Sequence, residues 1–425
     1  MKILFICDEL SYRGTPRYLL NCARIAKGAG MEARVWALEK GGPVEGELAQ
    51  NGIPVAVEFS NISEIECFRP DIVHIHRCGA VSRRDTLILR AFKEKYGSRI
   101  IETSVFGLAD LTWHSPIDVH AHISRWDLWR WRRYLRPFHQ AGIYLPNCVD
   151  TEAIRPTPSD FRMRHGIPDD SILLGRIGKT DWKELSRAVV PAMEKAGNVF
   201  FATVDDYSDD CHATEAWPDT IKPRVIRIPV LKGSDELSAF YSACDATLNF
   251  SPIGESFGFV VAESMSCGTP CIAHSTPRSD NAQIEVASIA CGGYPVRDAA
   301  AAEKTILDIA ATPPTAERKV LCRRSIVERY SLSRHSSSLL KAYSVLVGSG
   351  RTKSDIERRY REAGFETCIP EQEIRNLFRS VMGGKPSLLD HIFMFLIHSL
   401  PNALRIQRNF LRRPLSDTAK KLQLR

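Results

Sequence analysis

Two glutamates eight positions apart, Glu255 and Glu263, are the residues whose type and spacing best suit chemistry. They sit in the run Ser251–Pro270, which reads as a Gly/Pro/Ser loop after a strand at Ala246–Phe250. A short helix from about Phe257 to Cys267 follows, then a second strand from Pro270. Gly268 suits the left-handed residue just past a helix, and Pro270 keeps the helix from resuming. A helix entered from such a loop aims its unpaired N–H groups and positive dipole end above the sheet, which makes an anion site with phosphate as the usual occupant. At ~1.5 Å per helical residue the two carboxylates stand roughly 12 Å apart or somewhat less. That separation suits opposite ends of a diphosphate, one acid holding sugar hydroxyls and the other ribose hydroxyls. It does not suit two acids sharing one proton.

With Ser256-Phe257-Gly258-Phe259 between the acids and Gly268-Thr269-Pro270 after them, the run resembles the E-x7-E signature of retaining GT-B glycosyltransferases of the family 4 type (glycosyl transferases group 1). The resemblance covers about residues 1–347. It implies an α/β fold of two Rossmann-like, doubly wound parallel-sheet domains facing a central cleft. It also implies Glu255 as a catalytic residue, with Ser256, Phe257, Gly258, Phe259 and Glu263 binding the donor. The strand Ile172–Ile177 carries Arg176, and Lys179 and Lys183 follow it. This resembles the "GR…K" element that grips the donor diphosphate, so Arg176 and Lys183 are expected to offset the leaving group's charge. The loop spacing leaves Lys179 as an alternative donor contact to Lys183. Arg176 is expected to face the same hollow as Glu255, and backbone groups near Val230 and Leu231, at the exit of the run Val225–Leu231, to meet the base.

The first loop, Asp8–Arg17, resembles the family's "GGxxR" loop with Arg13 in place of one glycine, which implies that Gly14 approaches the donor diphosphate or sugar. It is not the G-x-G-x-x-G fingerprint, which argues against NAD. The run Pro70–Arg77 resembles the family's "PDIVHxH" strand. His76 falls near its carboxyl end, where open parallel sheets bind ligands, and is placed with Arg17 on the acceptor side. His74 alternates with apolar neighbours and reads as core. Many relatives carry a histidine near position 106 that touches the donor sugar; Phe106 stands here, so no catalytic histidine is carried over.

Apolar, β-branched runs alternate with helical stretches through both halves, which implies parallel sheets. Strands are expected at Lys2–Cys7, Ala33–Leu38, Pro54–Phe59, Asp71–Ile75, Arg99–Thr103 and Asp118–Ile123. Leu145–Pro156 resembles the family's "PNGVD" hinge with Cys148 in place of glycine, and prolines 146, 156 and 158 mark a crossing. The domains are therefore drawn as 1–147 (acceptor side, with a crossing helix at 332–347) and 148–331 (donor side), with a basic helical C-terminal extension at 350–425. A polar run after the site, Thr276–Val286, contains a "DNAQxE" wording to which no roles are assigned.

The chain of 425 residues is 44% hydrophobic and 25% charged, a globular composition. Its 12 cysteines make no CxxC pair, which argues for reduced thiols and a cytoplasmic location. Residues 351–425 hold 15 Lys and Arg against 8 Asp and Glu; 57 less 15 and 50 less 8 leave residues 1–350 with 42 of each sign, so the net +7 lies in the tail. A neutral body argues against a nucleic-acid partner. The tail pairs the apolar run Leu388–Leu400 with seven later cations, and residues 125–136 interleave Trp126, Trp129 and Trp131 with arginines. Aromatic and cationic side chains together suit a peripheral contact at the inner face of a membrane through 386–425 and 125–136. The tryptophan–arginine run also suits a sugar-phosphate acceptor, and equally suits arginine stems packed over rings; the tail equally suits a helix packed on the body or on a second subunit.

The expected activity is retaining transfer of a sugar from a nucleotide-diphospho-sugar to an acceptor hydroxyl of a glycan or glycolipid, in cell-envelope or surface-polysaccharide synthesis. No metal or cofactor is expected beyond the nucleotide sugar. Asp205-Asp206 is read as a loop. The alternatives are a nucleotide-sugar epimerase or hydrolase of the same fold, and a non-catalytic binding protein that kept it.

Overall fold

The structure, a computed structural model, describes residues 1–58, 62–77, 82–105, 115–135, 140–204, 209–277 and 279–382. Phe106, Arg136, Asp205, Asp206, Arg278 and the tail segment 386–425 lie outside the described residues.

The first sheet contains β1 (Lys2–Glu9), β2 (Glu32–Lys40), β3 (Val55–Val57), β4 (Ile72–Arg77), β5 (Arg99–Ser104), β6 (Val119–His122) and β7 (Ala141–Tyr144). Their order is β3-β2-β1-β4-β5-β6-β7, all parallel. The second contains β8 (Ile172–Arg176), β9 (Val199–Val204), β10 (Val225–Ile228), β11 (Ala246–Asn249), β12 (Cys271–His274) and β13 (Tyr294–Val296), in the order β10-β9-β8-β11-β12-β13, also all parallel. Helices cover both faces of such sheets, so the central strands are apolar throughout: Ile3, Leu4, Phe5 and Ile6 of β1 are fully buried. Strand order reverses beside β1 and beside β8, and crevices for ligands open at the carboxyl ends of strands at such switch points. The loop carrying Gly14 leaves β1 and the loop carrying Glu255 leaves β11, so the topology delivers both to that end.

The chain crosses between domains twice, side by side. Val149 and Ser331 form a parallel bridge, with Val149 N–H donating to Tyr330 O (2.8 Å) and Leu332 N–H to Val149 O (3.1 Å). The helix Leu332–Gly348 then returns to the first domain and buries Leu339, Ala342, Tyr343 and Leu346 in its core.

The first part of the extension is integral to that domain. The helix Lys353–Glu362 places Ile356 and Tyr360 in the same core, and Tyr360 Oη donates to Ala342 O (2.9 Å). Tyr144 on the outer strand β7 donates its N–H to Glu366 O (2.8 Å), so the extension covers a strand edge that would otherwise be open.

The tryptophans of the tryptophan–arginine segment are interior, against the expectation that these rings take part in a membrane contact through 125–136. The helix Arg125–Arg130 continues into a wider turn, Trp131–Leu135, and Trp126, Trp129 and Trp131 are 0%, 4% and 1% exposed. The rings pack with Ile369 and Ile374 of the extension, and Trp129 Nε1–H donates to Glu371 Oε2 (3.0 Å). Arg125 pairs with Glu366 and Glu373, and Arg132 with Glu357. The three rings gain their burial from their own chain. Among the described residues no helix is long and apolar enough to cross a membrane.

Candidate functional site

The centre of the site is the helix Phe259–Ser266, two residues shorter at its start than the sequence suggests. Gly258 precedes it at φ +89°, a left-handed conformation that glycine adopts without strain. Just upstream, Gly254 (φ +68°) lies so close to the next loop that an added Cβ would sit 1.7 Å from Asp280 O. Ser251 Oγ–H donates to Gly254 O (2.8 Å), which closes the turn. These contacts hold the entry to the helix in one shape.

Glu255 is half-buried, and its carboxylate accepts from Asn249 Nδ2 at the end of β11 (3.1 Å). Burial, with a lesser contribution from Asp280, pushes its carboxyl up to about 7. Its backbone is held at both ends: Glu255 N–H donates to Gln283 Oε1 (3.0 Å), and Ala282 N–H donates to Glu255 O (2.9 Å). Glu263 points into the domain boundary and is buried. Arg17 Nη1 donates to its Oε1 (2.9 Å) and Tyr241 Oη to its Oε2 (3.3 Å). Burial raises its carboxyl pKa above the ordinary value, while Arg17 and Tyr241 act against the rise.

The first domain meets this helix through its own first helix, Gly14–Gly28. A Cβ on Gly14 would lie 3.5 Å from the Phe259 ring, and the Arg17 guanidinium sits 5.8 Å from the centre of that ring. Gly14, Arg17, Phe259 and Glu263 therefore converge at one place. Phe257 turns away, with its ring against Tyr330 and Phe259 in the second domain's core, so it supports the helix rather than lining the cleft. Ser256 is half-buried beside Glu255. Leu231 is half-buried against the second domain's core, past β10.

The cations do not match expectation uniformly. Arg176 is 1% exposed: its Nε–H donates to Thr180 Oγ1 (2.6 Å) and its Nη1 to Val204 O (3.1 Å) and Thr203 Oγ1 (3.4 Å). Its guanidinium also lies 4.6 Å from the centre of the Trp182 ring. The side chain folds across the end of β9. Lys179 and Lys183 are both exposed, on either side of Asp181, which caps the helix Trp182–Lys195.

His76 is the clearest departure from expectation. It is 1% exposed, enclosed by Phe5, Tyr18 and His74, and neither ring nitrogen has a hydrogen-bond partner among the described residues. Burial, together with His335, lowers its pKa to about 3, so the ring is neutral at physiological pH. A ring sealed under Tyr18 cannot meet an acceptor in this arrangement. His74 is satisfied, with Nδ1 on Tyr343 Oη (2.7 Å) and Nε2 on Thr103 Oγ1 (2.9 Å).

Sequence reasoning missed Asn249, Tyr241 and the roles within the DNAQxE run. Asp280 pairs with Arg130 (2.6 Å) of the first domain. Gln283 holds Glu255 N–H, and Glu285 accepts the backbone N–H groups of Arg125 and Trp126. The density of amide and carboxylate groups in the loop after β12 was the available signal. Among the described residues no group of three His, Cys, Asp or Glu side chains is placed to hold a metal.

Comparison with known proteins places this geometry. Residues 171–310 match the family model described as Glycosyl transferases group 1. No curated protein sequence matches. Among solved structures, a glycosyltransferase from Rickettsia africae ESF-5 superposes with a TM-score of 0.68 at 15% identity, covering 82% of this chain and 99% of that one. HepE from Anabaena, solved in complex with UDP and glucose, gives 0.61 at 15% identity, covering 81% and 99%. Sucrose-phosphate synthase from Thermosynechococcus elongatus gives 0.62 at 15% identity, covering 82% and 99%. The likeness runs through both parallel sheets: this chain has the GT-B fold, and its residues 171–310 match the model described as Glycosyl transferases group 1.

Proposed function

We propose that this protein is a retaining glycosyltransferase that moves a sugar from a nucleotide-diphospho-sugar to an acceptor hydroxyl of a glycan or glycolipid, in cell-envelope or surface-polysaccharide synthesis. One observation carries the reading: a helix start entered through Gly258 has Glu255 before it and Glu263 within it, and Gly14 and Arg17 of the other domain face it. That arrangement offers backbone N–H groups and a positive dipole end to a diphosphate, with a carboxylate on each side for hydroxyls.

The diphosphate rests on the first amides of the helix Phe259–Ser266. The exposed Lys179 and Lys183 supply mobile cations for the charge that develops as the bond to the sugar breaks. Glu263 takes the ribose hydroxyls once Arg17 moves aside, and Glu255 takes sugar hydroxyls. The acceptor enters from the first domain on the face the diphosphate leaves, and its proton passes to the departing phosphate oxygen. The anomeric configuration is thereby kept, and neither an enzyme nucleophile nor a cofactor is required. Arg176 contributes by holding the ends of β8 and β9 together, and reaches the diphosphate only if its bonds to Thr180 and Val204 open.

The enzyme acts in the cytoplasm at the inner face of the membrane, with the apolar and cationic tail at 386–425 as its peripheral contact. Deleting 386–425 should lower partitioning to anionic vesicles and spare donor turnover; unchanged partitioning rules that contact out.

A panel of nucleotide sugars screened by thermal shift, then by nucleoside diphosphate release with and without glycan acceptors, tests the function. Glu263→Ala should lose the donor-induced shift while remaining folded. Full donor binding and turnover in that variant would overturn the site.

A further inference from the structure

The residues 279–285 join the acid loop to the first domain from both sides. Toward the first domain, Ser279 O accepts from Trp126 Nε1–H (3.1 Å) and Arg130 Nη1 (3.0 Å). Asp280 Oδ1 accepts from Arg130 Nη2 (2.6 Å), and the Glu285 carboxylate accepts both Arg125 and Trp126 N–H at the start of their helix. Toward the site, Asp280 O packs against Gly254, while Ala282 and Gln283 hold the carbonyl and N–H of Glu255. Arg130 is 2% exposed and lies between two carboxylates, Asp280 and Asp127 (3.3 Å); the other oxygen of Asp127 is bonded to His122 Nδ1 (2.7 Å).

We propose that Arg130 is a positioning residue for sugar transfer: through Asp280 it fastens the loop 279–285 to the first domain, and that loop sets the place of Glu255. The inference rests on the glycosyltransferase reading and deepens it. Arg130 is a cation of the opposite domain, and it grips Asp280 and Ser279 O while Glu285 grips Arg125 and Trp126. Parting the domains would break these contacts together, so the placement of Glu255 depends on domain closure. Glu255 faces Asn249 at the end of β11, Ser251 of its own loop, Cys271 of β12, and Asp280, whose charge opposes its ionisation. Because the ionised form accepts sugar hydroxyls, activity is expected to fall as pH drops through the Glu255 titration.

The test compares wild type, Arg130→Met, Asp280→Asn and the double variant in transfer kinetics and in thermal unfolding. Arg130→Met should lower kcat roughly 10- to 100-fold, the scale of a misplaced reacting group, with donor KM little changed. Asp280→Asn, nearly isosteric, should lower kcat less and move the acid limb of the kcat/KM profile to lower pH. The double variant should lose no more than Arg130→Met alone. Wild-type kcat and pH profile in Asp280→Asn, or losses that simply add, would overturn the proposal. The unfolding cycle needs no substrate: additive melting shifts would sink the clamp even if no donor were found. A wild-type protein inert to every nucleotide sugar, with the unfolding coupling intact, would instead refute the enzymatic reading.

Discussion

Arg17 of the first domain and Glu263 of the second form an ion pair of 2.9 Å across the domain boundary, at the place proposed for the donor ribose. Tyr241 occupies the other oxygen of Glu263, so a ribose diol and the Arg17 guanidinium compete for one carboxylate. Arg17 is 48% exposed, and solvent holds the pair to about 1 kcal/mol or less.

The first prediction follows from that competition. Arg17→Ala should tighten nucleotide binding up to about fivefold, the equivalent of ~1 kcal/mol, with little change in melting temperature. Calorimetric titration with UDP and other nucleoside diphosphates reads it. Weaker binding in Arg17→Ala would mean instead that the guanidinium swings onto the ligand and is a donor contact itself.

Two glycines four positions apart should respond unequally to the same change. Gly254→Ala forces a methyl group to within 1.7 Å of Asp280 O and 2.3 Å of Thr276 Oγ1, at φ +68°. Overpacking and left-handed strain together should destabilise the protein by about 3 kcal/mol or more. Gly258→Ala meets Glu255 Cβ at 3.5 Å, an ordinary contact, so only the left-handed strain of ~1–2 kcal/mol applies. Denaturant titrations that rank the two equally would show that the 280 loop yields where it looks fixed.

Glu285 gives a pH prediction with a definite sign. Burial raises its carboxyl from 4.5 to about 7 in the folded protein. Between those values the folded state keeps a proton that the unfolded chain has released, so its contribution to stability falls as pH rises. It is undiminished below about 4.5, and the full loss, on the order of 3 kcal/mol, is reached above 7. Glu285→Gln cannot titrate, although its NH2 would face one of the two backbone N–H groups at Arg125 and Trp126. The variant should therefore be the less stable protein at pH 4 and gain on wild type by up to ~3 kcal/mol by pH 8. The buried, neutral His76 and His335 impose an opposite slope on both proteins and cancel from the difference. A difference independent of pH would refute the raised carboxyl.

These predictions draw on parts of the molecule that differ in how far the sequence reveals them. The sheets are legible because strands such as β1 and β8 are uninterrupted apolar runs separated by helices, and the acid helix because Gly258, Gly268 and Pro270 punctuate it. β7 is not: four residues including a glycine, Ala141–Tyr144, carry too little pattern. The pairs Arg17–Glu263 and Arg130–Asp280 join residues 246 and 150 positions apart, and one sequence holds no record of which distant charges meet. Arg176 and His76 were correctly placed at strand ends, but exposure there depends on what packs above them. For Arg176 that is Trp182 with Thr180, and for His76 it is Tyr18. The tryptophan–arginine segment has the same composition whether it faces lipid or core; the extension that covers it decides the matter.

The extension therefore supplies the last prediction. Ile356 is 1% exposed and Tyr360 0%, both within the first domain's core beside Tyr343 and Leu346, so residues 353–362 bear on folding rather than hanging from the body. Ile356→Ala should lower unfolding stability by ~2–4 kcal/mol through the cavity it leaves. Tyr360→Phe, which removes only the bond to Ala342 O, should lower it by about 1 kcal/mol. Truncation after residue 350 removes both side chains, uncovers Trp129 and frees the edge of β7 at Tyr144. The truncated chain should melt well below the full chain and self-associate, since an open strand edge beside exposed aromatic rings is a template for pairing. Arg125 would also lose Glu366 and Glu373 while its backbone stays tied to Glu285. The disturbance should then reach the acid loop, and nucleotide affinity should fall along with stability. A truncated protein that melts and binds nucleotide like the full chain would mean that residues 351–382 merely rest on the first domain and that the domain folds without them.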